Sequence, residues 1–225
     1  MLTFQQFTEG VNDPAIFKAI FLAGGPGSGK SFIVGKTGLT AMGYKVVNSD
    51  DAFEVSLKKA GLTTKPDDIF SVKGQEIRGK AKRLTAKKQE RYLKGRLGIV
   101  VDGTGKDFQK ISKQVKSVQA LGYDTAMIFV NTDLETAVKR DQARPRTLGR
   151  EEVTKMWKIV QSNIGAFQRM FGKPNMLIVD NSDDKDFKKE TLRAYRDAMK
   201  FTNKEPQSQK AQSWIKQEKE KARRD

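Results

Sequence analysis

The stretch GGPGSGKS, residues 24–31, fits the pattern G-x-x-x-x-G-K-[ST], with Gly24, Gly29, Lys30 and Ser31 at its fixed positions. By average residue usage such a match arises by chance in roughly one chain of this size in a hundred. Its setting sharpens it, because an apolar run precedes the loop and a helical pattern, KSFIVGKTGLTAMG, follows. That is the strand–loop–helix arrangement of a Walker A phosphate-binding loop. Glycines allow the backbone of Gly24, Gly25, Pro26, Gly27, Ser28 and Gly29 to wrap an anion with its amides. Lys30 is placed to reach the β- and γ-phosphates of a nucleoside triphosphate, and Ser31 to set its hydroxyl on Mg²⁺. ATP and Mg²⁺ are therefore the expected ligands.

Histidine and cysteine are both absent. A general base must then be a carboxylate or a lysine, and neither disulfides nor thiolate metal sites can form. Two carboxylates stand at candidate strand ends. In IVVDGTG, Asp102 is followed by Gly103 rather than by the glutamate with which motor ATPases polarise water, which argues for transfer over hydrolysis. Asp102 either holds Mg²⁺ through a water or caps the helix that follows. NTDLE at 131–135 is not the N-K-x-D of guanine-specific GTPases. In NSDDAFE, Asp51 precedes Glu54 by three residues, the spacing of a capping box, so Asp51 is expected to cap the next helix. That leaves Asp50 as general base toward an acceptor hydroxyl in line beyond the γ-phosphate. The reverse assignment, or a structural role for Asp50, is the alternative.

Arg140 and Arg144 are spaced i, i+4, on one helical face, before Pro145 and Gly149. Such a segment, about 139–152, suits a lid whose arginines neutralise charge on the transferring phosphoryl group. The competing reading pairs them with Asp141 or Glu151 at the surface.

Five apolar runs, at 15–24, 44–50, 97–105, 123–131 and 175–181, alternate with helical patterns. Nearly continuous apolar character fits strands buried on both faces. The expected fold is a three-layer α/β P-loop NTPase sandwich, with a doubly wound, mostly parallel five-stranded sheet, a helical lid and a basic helical insertion. Such sheets bind ligands at the carboxyl ends of their strands. Residues 1–14 form an N-terminal lead and 15–202 the P-loop domain. A charged C-terminal stretch, 203–225, reads as a mobile tail or a lone solvated helix.

Lys and Arg number 43 against 27 Asp and Glu, a net charge of +16. Half of that surplus lies in the insertion, about 71–96, where residues 73–96 carry ten cations against two carboxylates. Ile77, Ala81, Leu84 and Tyr92 recur at helical spacing and are expected to pack on the domain. The charged remainder suits a nucleic-acid partner, or is simply a solvated face. No stretch is apolar enough for a membrane span, and the start, MLTFQQFTEG, lacks a signal-peptide pattern. A cytoplasmic protein is the expectation.

The order of P-loop, NSDD, VVDGTG and R-x-x-x-R resembles the kinase domain of bacteriophage polynucleotide kinases and the small kinases that include zeta toxins, over about residues 15–182. The chain also looks like kinase-like proteins of large tailed phages, which would place it in a host cytoplasm. The resemblance implies a kinase transferring the γ-phosphate of ATP to an alcohol, with Asp50 as base, Arg140 and Arg144 as lid arginines, and Lys30 in the catalytic set. The implied acceptor is a polynucleotide 5′-OH or a nucleotide-type substrate. Where the polynucleotide kinases carry an arginine three residues after the base, this chain has Phe53. A zeta-toxin-like nucleotide-sugar kinase and a nucleotide-binding virion or nucleic-acid module with little catalysis are the competing readings.

Overall fold

The computed structural model describes residues 11–143 and 147–224. Five strands form one sheet: β1 (Lys18–Ala23), β2 (Lys45–Val47), β3 (Ile99–Asp102), β4 (Asp124–Asn131) and β5 (Met176–Asp180). Their order is β2-β3-β1-β4-β5, and every pairing is parallel. Parallel neighbours need crossovers, and helices supply them. Along the chain these are α1 (Lys30–Lys36), α2 (Ser49–Lys59), α3 (Pro66–Phe70), α4 (Val72–Lys94), α5 (Phe108–Ala120), α6 (Leu134–Gln142), α7 (Arg150–Ser162), α8 (Ile164–Phe171), α9 (Phe187–Thr202) and α10 (Gln209–Lys221).

All six residues of β1 are buried, because the central strand is covered on both faces. Alternation sends Ala19, Phe21 and Ala23 to a core shared with α5, α7 and α8, and Ile20 and Leu22 to a core shared with α1 and α9. Each buried Phe21- or Ile20-sized side chain contributes about 2 kcal/mol. The strand ends Ala23, Val47, Asp102, Asn131 and Asp180 lie along one edge of this sheet, where the functional residues gather.

Several local expectations are corrected. α2 is capped by Asn48, whose side-chain oxygen accepts from the Asp50 amide at 2.8 Å, so Asp51 sits inside the first turn and caps nothing. The helix after the phosphate loop stops at Lys36 and gives way to turns through Gly38 rather than running on to residue 43. On α4, Ile77 and Ala81 are buried against Phe53, Leu57 and Ile69, but Leu84 is 48 % exposed, since it faces an open groove beside Val46 and Val55. The charged C-terminal stretch is a docked helix: Ala211 is fully buried and the Trp214 ring meets Phe17 edge-on at 5.5 Å.

Candidate active site

The loop between β1 and α1 turns through Gly27 and Gly29, at φ of 70° and 80°, in the left-handed region that glycine alone adopts freely. Neighbours crowd both positions. A Cβ on Gly27 would run into the Ala137 carbonyl, and one on Gly29 into the Asn181 amide nitrogen. Gly27 thus lets α6 approach the loop directly. Arg140, one helical turn beyond Ala137, then comes within 3.9 Å (Nη1) of the place a Gly29 Cβ would occupy.

Lys30 folds back on the loop, its Nζ donating to the Gly24 carbonyl at 2.6 Å. Ser31 is exposed at the start of α1. Lys30, Ser31, Gly27 and Gly29 line a cavity of about 530 Å³ together with Asp50, Glu54 and Asp102. Glu54 follows Asp50 by one turn of α2, which points both carboxylates into the same space. Asp102, at the end of β3, does not cap α5: Asp107 does, accepting from the Lys110 amide at 2.9 Å. Burial pushes the Asp102 carboxyl up, the Lys30 charge pulls it down, and the nearby Asp50 and Asp51 charges push it up again. Asn48 donates to Asp102 Oδ2 and to Asp51 Oδ1, both at 3.1 Å, so the β2–α2 junction is tied to the end of β3.

On the other side of the loop lies a second cavity, of about 480 Å³, between Gly29, Phe32, Arg140, Asn181, Ser182 and Phe187. The Phe32 and Phe187 rings pack at 4.8 Å, and Phe32 remains 52 % exposed. Arg140 Nη2 donates to Asp183 Oδ1 at 2.7 Å, and Lys139 bonds the other oxygen at 3.0 Å. Lys139 and then Arg140 hold the Asp183 carboxyl below its ordinary range. Arg140 therefore pairs with neither Asp141 nor Glu151. Asp141 is buried and accepts from the Leu148 and Gly149 amides, fastening the segment that leads into α7. Arg144, the second lid arginine of the sequence pattern, lies outside the described residues.

Sequence reasoning missed Asn48, Asn181 and Asp183. Asn181 Nδ2 donates to the Ser28 carbonyl at 2.8 Å and is buried. The only signal was position, since each follows a strand by one to three residues.

A protein-family model described as Zeta toxin matches residues 5–191. Among solved structures, the chain is similar to the AvrRxo1-ORF1:-ORF2 complex with ATP, with a TM-score of 0.56 and 18% identity over 75% of this chain and 56% of that one. It is similar to a chain from the PezAT chromosomal toxin–antitoxin system of Streptococcus pneumoniae, with a TM-score of 0.55 and 13% identity over 82% and 87%. It is also similar to a chain of the Pnkp1/Rnl/Hen1 RNA repair complex, at 0.52 and 19% over 67% and 46%. At these identities the likeness is one of fold, and this chain spans little more than half the length of the first of them. The search of curated proteins finds no match.

Proposed function

This chain belongs to the Zeta toxin family of P-loop kinases, and from that premise we propose that it transfers the γ-phosphate of ATP to a hydroxyl acceptor, with Asp50 as general base. The acceptor is of nucleotide type, a polynucleotide 5′-OH ahead of a free nucleotide. The observation that carries the reading is the single cavity shared by the phosphate loop, Asp50 and Asp102. A base on one wall and a phosphate cradle on the other is the placement that in-line transfer needs.

In this reading the glycine amides and Lys30 hold the β- and γ-phosphates. The cavity between Phe32, Phe187 and Asn181 takes the nucleoside end of ATP. Asp50 takes the proton of the acceptor hydroxyl as its oxygen bonds to the γ-phosphorus, and the bond to the β–γ bridging oxygen breaks to leave ADP. Arg140 leaves Asp183 and offsets charge on the group in flight. Among the described residues no three acidic side chains gather into a metal cage. That fits Mg²⁺, which takes one or two protein oxygens and completes its shell with phosphates and water. Ser31 and Asp102 would hold the ion, which supplies charge neutralisation at the phosphates. Among the described residues no helix is long and apolar enough to cross a membrane.

Incubation with γ-labelled ATP and a panel of 5′-OH oligonucleotides, nucleosides and UDP-sugars tests this. Transfer that is lost in Lys30→Ala, and lost in Asp50→Asn without loss of ATP binding, is expected. Undiminished transfer by Asp50→Asn would remove the base assignment. The family match favours a second reading, a toxin-like nucleotide-sugar kinase. Labelled UDP-sugar, with growth arrest on expression that Lys30→Ala relieves, would select it.

A further inference from the structure

We propose that a groove beside the cleft, between β2, α2 and α4, is the track of a single-stranded polynucleotide acceptor. This rests on the phosphotransfer reading above and assigns its acceptor a route. The groove, about 420 Å³, shares Asn48 and Asp51 with the cleft that holds Asp50, so the two adjoin. Part of its wall is apolar side chains left in water: Val46 on the edge strand, Val55 on α2 and Leu84 on α4 are 37%, 55% and 48% exposed, with Ser56 and Thr85 between them and the Asp51 carboxylate at the end shared with the cleft. Tyr92 stands in the same wall, and the exposed ammonium groups of Lys59 and Lys88 belong to its lining. Apolar surface bordered by cations matches the alternation of base faces and phosphates along a nucleic-acid strand. It does not match strand addition by a peptide, because β2 offers only three residues of edge.

The helix beyond the groove argues for a polymer over a mononucleotide. α4 has 23 residues and so is about 35 Å long. Outside the groove it exposes Lys80, Arg83, Lys87, Arg91 and Lys94, which helical spacing sets along one face. Among the described residues its one ion pair is Lys94 with Glu90. A nucleotide or nucleotide sugar would fill the groove and leave that row of charge untouched, whereas a strand running along α4 meets it with successive phosphates. A single tyrosine as the one aromatic ring of the groove lining implies little base preference.

The test uses the full chain, a 12-nucleotide 5′-OH strand labelled at its 3′ end, and the double variant Lys59→Ala/Lys88→Ala. With about four phosphates neutralised, affinity by anisotropy should fall about fiftyfold between 50 and 200 mM salt, and the double variant should lower the logarithmic salt slope by about 1.4. In γ-labelled ATP assays its KM for the 12-mer should rise at least tenfold with kcat unchanged, while KM for ATP, which binds at the phosphate loop outside the groove, stays the same. An unchanged slope and KM in the double variant, with transfer intact, would overturn the groove and leave the kinase reading standing. Binding with the expected slope, but no labelling of any acceptor, would remove the kinase reading and keep the groove as a polynucleotide site. Tighter binding to phosphatidylserine vesicles than to the strand would overturn the polynucleotide assignment.

Discussion

Asn181 and Ser28 are 153 residues apart in sequence and meet at 2.8 Å, the asparagine amide donating to the loop carbonyl. The end of β5 is thereby bolted to the phosphate loop, and the same amide nitrogen occupies the space that any side chain at Gly29 would need. Asn181→Ala removes one buried hydrogen bond and leaves Ser28 O without that donor, a loss of about 1–3 kcal/mol. It should weaken ATP binding by roughly tenfold while the protein stays folded. Gly29→Ala is expected to be worse, because it combines a left-handed backbone with a collision, and calorimetric titration with ATP should show no binding. Wild-type affinity in both variants would refute the bolt.

Arg140 and Asp183 form a pair that is partly open to water, with the arginine side chain 31 % and the aspartate side chain 43 % exposed. Such solvent-screened pairs contribute little to stability, so the arginine is easily drawn away by a phosphate. Asp183→Ala should therefore leave the melting temperature within about 3 °C and leave KM for ATP equal or lower. Arg140→Ala should lower kcat by about 10³. Steady-state kinetics on the two variants separate a poised arginine from a structural one, since a structural pair would make both variants equally defective.

Asn48 has two roles with different chemistry. Its oxygen caps α2, and its amide nitrogen donates to Asp51 and Asp102. Asn48→Ala loses both and should cost about 1 kcal/mol for the cap, a drop of roughly 3 °C in Tm. Asn48→Asp keeps an acceptor for the cap but sets a third carboxylate against two others. Its Tm should be no higher than that of the alanine variant. A wild-type Tm for Asn48→Asp would mean that only the cap matters.

Alkaline stability follows from two buried phenols. Burial pushes the Tyr44 and Tyr123 hydroxyls well above their usual value, and they bond to Thr202 Oγ1 at 3.0 Å and to the Leu97 carbonyl at 3.1 Å. Both stay neutral in the folded protein after the unfolded chain begins to ionise near pH 10. Their folded values are raised, so the stability they contribute is complete below pH 10 and is lost as pH rises beyond it. Burial lowers Lys18 despite its ion pair with Asp124. That has the opposite sign, and stability gains with pH until the unfolded lysine titrates near 10.5. Above that point the Lys18 contribution is constant, and each of the two tyrosines lowers the free energy of unfolding by up to about 1.4 kcal/mol per pH unit. Denaturant melts from pH 9 to 12 should show the fall, and Tyr123→Phe should make it shallower.

How much of this was legible depends on whether a feature is local. The phosphate loop could be read because its glycines and lysine act within eight residues, and the five strands because burial on both faces writes continuous apolar runs. The partners of that loop could not be read. Asn181 looks like any polar residue after a strand, and only the placing of β5 beside β4, next to β1, brings it to Ser28. Asp51 and Glu54 have capping-box spacing, but Asn48 comes three residues sooner and takes the cap. Leu84 keeps helical spacing with Ile77 and Ala81 but faces an open groove beside Val55, so periodicity alone promised a burial that does not occur. In the C-terminal stretch, one alanine and one tryptophan three residues apart carry the docking, too few to stand out among so many charges.

That docking permits a final prediction. α10 lies at the end of the sheet opposite the phosphate loop, with Ala211 against Gly122 and Trp214 against Phe17, just before β1 begins. Nearby, Asp124 binds the buried Lys18 ammonium at 2.7 Å and accepts from the Gln207 amide at 3.2 Å, so the segment leading into α10 also covers a buried charge. Trp214→Ala removes a large, half-buried ring and should cost about 2–3 kcal/mol, below the 3–5 kcal/mol of a fully buried one. Removal of residues 204–225 should cost more, because it also uncovers Phe17 and strips Asp124 of an amide. Neither change touches the loop, Asp50 or Arg140. At 20 °C, Trp214→Ala should therefore keep kcat and KM for ATP within twofold of wild type while its Tm falls by roughly 6–10 °C. Unchanged stability would mean that the helix is merely laid against the domain, and lost activity at full folding would mean that the two ends of the sheet are coupled.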